Sequence, residues 1–103
     1  MIKTIDFTYN GHKMDLIRSI ENSFSSSYLE ARNKFLTTAE TNQLKIQNYK
    51  NSNLGALQEE LSCDTAWLGP DDAKQILVTI SGTHGVEGFC GSGCQLDWIN
   101  SIN

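Results

Sequence analysis

The first hydrophobic pattern in the chain is compatible with two structures. Apolar and polar residues alternate over residues 5–9 and are followed by Asn10-Gly11, a turn sequence typical of a β-hairpin. Apolar residues at helical spacing over residues 13–24 instead predict a helix. Both interpretations stay open, and residues 1–23 are assigned to an amino-terminal extension.

A helix over residues 28–41 is predicted by the next apolar stripe. Ser27 and Glu30 have the spacing of a capping box, in which the Ser27 hydroxyl accepts from a helix-start amide and the carboxylate reaches back. Four apolar residues recur on one face of this helix: Tyr28, Ala31, Phe35 and Ala39. The helix is expected to pack against the rest of the protein through that face.

The middle of the chain predicts three strands. Residues 44–49 begin as a half-buried strand, and the polar residues 50–60 predict a loop. Residues 61–67 alternate as a second strand, which ends at the Gly-Pro-Asp-Asp turn of residues 69–72. Residues 75–81 form a continuous apolar, β-branched run, which is typical of an interior strand covered on both faces.

A glycine-rich stretch over residues 82–93 leads into a final helix, predicted from near Glu87 to about Asn100. The order of strand, strand, then strand–loop–helix indicates an α/β fold. An interior strand needs a neighbour on each edge, and a strand–helix unit normally leads to another strand. The pattern therefore predicts an incomplete α/β domain, the amino-terminal fragment of a longer one.

Composition and charge exclude several classes of protein. Hydrophobic residues make up 39% and charged residues 19% of the chain, which excludes a disordered protein, collagen and a coiled coil. Eight Lys and Arg against twelve Asp and Glu give a net charge of −4, so neither nucleic acid nor an anionic membrane surface is an expected partner. Because the sequence shows no membrane span and no signal peptide, a cytoplasmic location is expected.

Three cysteines, Cys63, Cys90 and Cys94, do not make an even disulfide framework. Without a secretion signal they are expected to be reduced. Cys90 and Cys94 are a weak metal motif, because no second pair of Cys or His follows in this chain. All three are therefore predicted to be small buried thiols.

The candidate chemistry lies directly after the predicted interior strand, where open α/β sheets hold their ligands. His84 and Glu87 are three residues apart on a turn that enters a helix, so the imidazole and the carboxylate can converge on one ion. Both are ligands that zinc accepts, and three glycines leave room for the bend and for a substrate: Gly82, Gly85 and Gly88.

Two ligands do not hold a catalytic zinc ion, which needs three protein ligands and an open position. The second histidine of the chain, His12, is expected to be a surface turn residue. The spacing also has a simpler interpretation, in which Glu87 favours the positive end of the helix and His84 is an ordinary loop residue. Spacing alone leaves both interpretations open.

Phosphate-binding and nucleophile motifs are incomplete in the same stretch. The pair Gly91 and Gly93 lacks the third glycine of a dinucleotide fingerprint, because position 96 is Leu96. No lysine followed by Ser or Thr completes a P-loop, and Ser92 lacks the glycines two residues away on each side that a nucleophile elbow requires. These motifs therefore do not compete with the metal hypothesis.

Residues 81–89, Ser-Gly-Thr-His-Gly-Val-Glu-Gly-Phe, together with Ala-Trp-Leu-Gly-Pro at residues 66–70, carry a resemblance. They resemble the amino-terminal part of a bacterial branch, of unknown function, of the zinc carboxypeptidase (carboxypeptidase A-like) superfamily. Residues 24–35 are similar to the opening helix of that branch, so the resemblance covers residues 24–103. The core at residues 82–87 is shared with the aspartoacylase and succinylglutamate desuccinylase group.

The resemblance implies a three-layer, zinc-exopeptidase-like α/β fold with a mixed sheet and one Zn²⁺ ion. His84 and Glu87 match the family's first two zinc ligands. The family's second histidine ligand, general-base glutamate and substrate-binding arginine have no counterpart in this chain. No catalytic residue is therefore assigned here.

The resemblance leads to the expectation that the chain is a fragment of a zinc-dependent carboxypeptidase-like metallohydrolase that cleaves an amide or peptide bond. By itself it is expected to be inactive; the whole protein would take a peptide or acyl-amino-acid substrate. One alternative is a deacylase of N-acyl amino acids. Another is a non-catalytic small binding protein or a relic.

Overall fold

The computed structural model describes residues 20–102, of which residues 20–23 are helical. The elements that follow are helix α1 (Tyr28–Thr41), strand β1 (Lys45–Leu54), strand β2 (Glu60–Trp67) and helix α2 (Gly88–Ser101). The predicted α/β class is confirmed. The predicted hairpin after residue 5 and His12 lie outside the described residues, whereas residues 20–23 agree with the helical alternative. Within the described range no helix is long and apolar enough to cross a membrane.

Helix α1 begins where the sequence predicts, but its cap differs from a reciprocal capping box. The Ser27 hydroxyl accepts from the Glu30 N–H at 3.3 Å, as expected. The Glu30 carboxylate reaches one residue further back and accepts from the Ser26 N–H at 2.9 Å. That backbone hydrogen bond, followed by the hydrogen bond from Lys34, lowers the pKa of Glu30 to about 2.

The two strands form an antiparallel hairpin, in which Lys45 lies opposite Trp67. The loop predicted over residues 50–60 is wrong in its first half, because β1 continues to Leu54 and only residues 55–59 connect the strands. The pairing shifts between Lys50 and Leu54, and Leu54 then lies opposite Glu60. This half of β1 is exposed and mostly polar, so it lacks the alternation of apolar and polar residues by which a half-buried strand is predicted.

Helix α1 packs on one face of the hairpin and is joined to it by polar contacts. The Tyr28 phenol oxygen accepts from the Ser62 N–H at 2.8 Å. The Arg32 guanidinium donates to both carboxylate oxygens of Asp64, with Nε–Oδ2 at 2.8 Å and Nη2–Oδ1 at 3.4 Å. Asn48 of β1 also donates to Asp64. One buried carboxylate therefore connects α1 to both strands.

The prediction that the three cysteines are buried is wrong, although they are free thiols as expected. In β2, Ser62 and Asp64 face α1, and Cys63 lies on the opposite, uncovered face of the hairpin. Cys90 and Cys94 are exposed on α2, because the buried stripe of that helix is formed by other residues. Sequence alternation shows that a strand has two faces without showing which one is covered.

The small core lies between α1 and α2, where the side chains of Ala39, Leu96 and Ile99 are buried. Gly93 of α2 is buried in the same layer and lies against the ring of Phe24. A Cβ atom at Gly93 would lie 2.4 Å from Cδ1 of that ring, closer than two carbon atoms can approach. Glycine at this position therefore permits the contact between α2 and the segment that precedes α1.

Replacing Gly93 with alanine is expected to lower the free energy of unfolding by about 1 kcal/mol, because the added methyl displaces the Phe24 ring. The control is Gly91→Ala in the same helix, whose Cβ would lie 3.4 Å from Ser81 Cβ, an ordinary contact. This variant should gain up to about 1 kcal/mol from helix propensity. Urea denaturation measures both, and equal stability of the two variants would contradict the packing argument.

The interior strand predicted over residues 75–81 is also wrong for the described structure. These residues run without strand pairing, and Leu77 and Ile80 are 77% and 80% exposed. An extended apolar segment becomes an interior strand only where neighbouring strands satisfy its backbone and cover its side chains. The sheet within residues 20–102 has two strands, β1 and β2, and neither pairs with this segment.

Candidate functional site

His84 and Glu87 lie on the loop between residue 81 and α2, and both are exposed. Within residues 20–102 neither side chain takes part in a hydrogen bond or an ion pair, so their donor atoms are available to a ligand. Glu87 occupies the position before α2, but its side chain forms no capping hydrogen bond. If Glu87 has a purely structural role, it therefore acts through its charge near the positive end of α2 and not through a capping hydrogen bond.

Two glycines close the loop at its base. Gly82 has a φ of +70°, a conformation that favours glycine. A Cβ atom at Gly88 would lie 2.9 Å from the Cα of Gly82, so the two backbones touch where the loop begins and ends. Inside the loop, the Gly88 N–H donates to the Gly85 carbonyl at 2.9 Å and the Phe89 N–H donates to the Val86 carbonyl at 3.2 Å. The loop is a closed turn that presents its side chains to solvent.

The side chain of Gln95, on α2, holds the segment that enters the loop. Its Oε1 accepts from the Ser81 hydroxyl at 2.8 Å. Its Nε2 donates to the Thr79 carbonyl at 3.1 Å and to the Thr79 hydroxyl at 2.9 Å. Gln95 is not recognisable from the sequence, because contacts across 14 and 16 residues leave no periodic signal.

The side chains of His84 and Glu87 are two of the donor types that zinc binds. An imidazole nitrogen and a carboxylate oxygen are both ordinary zinc ligands. A third donor is missing from the described structure, since no group of three or more His, Cys, Asp or Glu residues there could hold a metal ion. The assignment of His84 and Glu87 as zinc ligands stays a prediction.

A separate cavity of about 330 Å³ lies between α1, α2 and the segment that precedes α1. It does not include the loop that carries His84 and Glu87. Six mostly polar residues line it: Asn22, Ser23, Lys34, Thr38, Leu96 and Asn100. Because neither motif residue reaches this cavity, the candidate site is the exposed loop alone.

Comparison with known proteins gives a family without an assigned activity. No curated protein and no solved structure matches the chain. The family model described as a protein of unknown function (DUF2817) matches residues 24–103. This match includes α1, both strands, the loop with His84 and Glu87, and α2. Because it extends over more than half of the sequence, the chain belongs to the DUF2817 family.

Proposed function

We propose that this chain carries two zinc ligands, His84 and Glu87, of a carboxypeptidase-like metallohydrolase that cleaves an amide or peptide bond. The observation that carries the proposal is the loop itself: one closed turn presents an imidazole and a carboxylate, both exposed and without partners within residues 20–102. The sequence context of residues 81–89, which resembles the zinc carboxypeptidase superfamily, supports the choice of metal and reaction.

Each part of the loop has a separate task in this proposal. The imidazole of His84 and the carboxylate of Glu87 supply one nitrogen and one oxygen ligand. Gly82 and Gly88 keep the loop closed, and glycine at position 85 leaves the Glu87 carboxylate clear, since a Cβ atom there would lie 3.3 Å from Oε2 of Glu87. Zinc held by His84 and Glu87 would supply a Lewis acid for polarising a carbonyl group and for activating water.

The proposal also explains why this chain should lack hydrolytic activity alone. A catalytic zinc ion needs a third protein ligand, and a general base is needed to take a proton from water. Within residues 20–102 no group of three or more His, Cys, Asp or Glu residues could hold a metal ion. Two donors are enough for the chain to bind Zn²⁺ weakly, whereas hydrolysis also requires the third ligand and the general base.

Replacing His84 with alanine is expected to weaken Zn²⁺ binding by more than about tenfold, because one of the two donors is lost. Isothermal titration calorimetry of the untagged chain with Zn²⁺ measures this effect. The matched control is His12→Ala, which removes the histidine that the sequence analysis places on a surface turn. Equal Zn²⁺ affinity of His84→Ala and the unmodified chain would contradict the assignment of His84 as a ligand and would favour a non-catalytic binding protein.

A further inference from the structure

We infer that Gln95 is a positioning residue for the loop that carries His84 and Glu87. The importance of this role for metal binding rests on the proposed function, whereas the hydrogen bonds of Gln95 are observed independently of it. Gln95 lies two turns into α2, and its amide reaches back to both residues that flank Ile80. It thereby ties the entry of the loop to the helix that forms the exit of the loop.

The hydrogen bonds of Gln95 allow one orientation of its amide. The Thr79 carbonyl can only accept, so the group facing it must be the NH₂ of Gln95. The opposite end, Oε1, must then accept from the Ser81 hydroxyl. Three hydrogen bonds from one side chain use both ends of the amide, which fixes the side chain and the segment together.

This tie matters because the segment lacks the usual support of a strand. Residues 75–81 are not paired in a sheet within the described structure, so no ladder of backbone hydrogen bonds holds them. The region also passes close to the backbone of α2: a Cβ atom added at Gly91 would lie 3.4 Å from Cβ of Ser81, and one added at Gly88 would lie 2.9 Å from Cα of Gly82. Gln95 supplies the directional hydrogen bonds, while the glycine contacts supply close packing.

Loss of these bonds should disturb the loop more than the helix. Helix α2 keeps its buried residues Leu96 and Ile99, which do not depend on Gln95. The loop entry, in contrast, gains conformational freedom that metal binding must then remove. His84 and Glu87 on a more mobile loop should therefore bind a metal ion more weakly, as metal ligands do when the hydrogen bonds that orient them are removed.

The first experiment compares Gln95→Ala with Asp97→Ala, a control on the same helix at an exposed position. Hydrogen exchange is measured at the amides of Gly88 and Phe89, whose bonds to Gly85 and Val86 close the loop. Gln95→Ala is expected to speed their exchange on the order of tenfold, because the loop opens more often. Equal protection of the two variants would overturn the positioning role.

The second experiment is a Zn²⁺ titration of the same variants. Gln95→Ala should bind Zn²⁺ about tenfold more weakly than the unmodified chain, and Asp97→Ala should bind it equally. Ser81→Ala should add little to the effect of Gln95→Ala, since both remove the same hydrogen bond.

If the unmodified chain binds Zn²⁺ and Gln95→Ala binds it equally well, the inference fails. If the unmodified chain binds no Zn²⁺, the proposed function fails, and the exchange experiment alone decides whether Gln95 positions the loop.

Discussion

Replacing Arg32 with methionine is expected to lower the free energy of unfolding by about 1.5–3 kcal/mol at pH 7, the range for hydrogen bonds to charged groups. The substitution removes both hydrogen bonds from α1 to Asp64, whose side chain is only 7% exposed. Within residues 20–102 the donors that remain to the carboxylate are neutral, namely Asn48 and Ser62. Urea denaturation measures the change, and the loss should be large because a buried charge remains without its cation.

The effect of Arg32→Met should shrink in acid. Burial of Asp64 raises the pKa of its carboxyl, but the hydrogen bonds from Arg32 and Asn48 outweigh burial and keep the pKa below the ordinary value of 3.8. A depressed pKa stabilises the fold above the pKa of the unfolded chain, and this contribution is lost as pH falls through the folded pKa. The difference in stability between Arg32→Met and the unmodified chain should therefore decrease below about pH 4.

The matched control for this prediction is Lys50→Met, which removes the same charge from the exposed ion pair of Lys50 with Glu60. Exposed pairs contribute little, so this variant should lose no more than about 1 kcal/mol. A double-mutant cycle of Arg32→Met with Asp64→Asn isolates the coupling between the two side chains. Equal losses for Arg32→Met and Lys50→Met would show that the Arg32–Asp64 pair does not anchor α1.

Self-association of the 103-residue chain is expected to depend on residues 75–80, and Val78→Lys should suppress it. This segment exposes four large apolar side chains in an unpaired, extended stretch without charge: Ile76, Leu77, Val78 and Ile80. Such a stretch is a template for pairing with the same segment of another copy. A lysine at its centre opposes that pairing by placing like charges next to each other. Sedimentation velocity over a range of concentrations measures the effect.

Val86→Lys provides the matched control, since it makes the same chemical change at a similarly exposed valine. Val86 is 81% exposed and Val78 is 69% exposed, but Val86 lies in the tight loop before α2 instead of the extended segment. We expect Val86→Lys to associate like the unmodified chain and Val78→Lys to remain monomeric. A monomeric unmodified chain, or equal association of the two variants, would contradict the role of this segment.

Short-range signals were sufficient to predict both helices. Helix α1 occupies the predicted residues 28–41, and α2 lies within one residue of its predicted bounds. Capping and helical periodicity act between residues three or four apart, so the sequence contains all the interacting groups. Even there, the choice of Ser26 over Ser27 by the Glu30 carboxylate depends on how the chain approaches the helix.

Strands were less predictable, because their stability depends on neighbours that are distant in sequence. The second half of β1 is polar and exposed, and its pairing with β2 alone makes it a strand. The opposite error occurred at residues 75–81, where a strongly β-forming sequence has no pairing partner within the described structure. Strand propensity describes how well a residue fits a sheet and does not supply the adjoining strand.

Both helices, strand β2 and the glycine-rich loop, with His84 and Glu87 three residues apart, are predictable from the amino-acid sequence. The signals that predict them, namely capping, helical periodicity, alternation and glycine content, all lie between residues that are close along the chain. Three features became visible in the folded chain: α1 covers one particular face of β2, the thiols are exposed, and Gln95 holds the entry of the loop. These features depend on which elements pack against each other, and hydrophobic periodicity shows that an element has an apolar face without showing which element covers it.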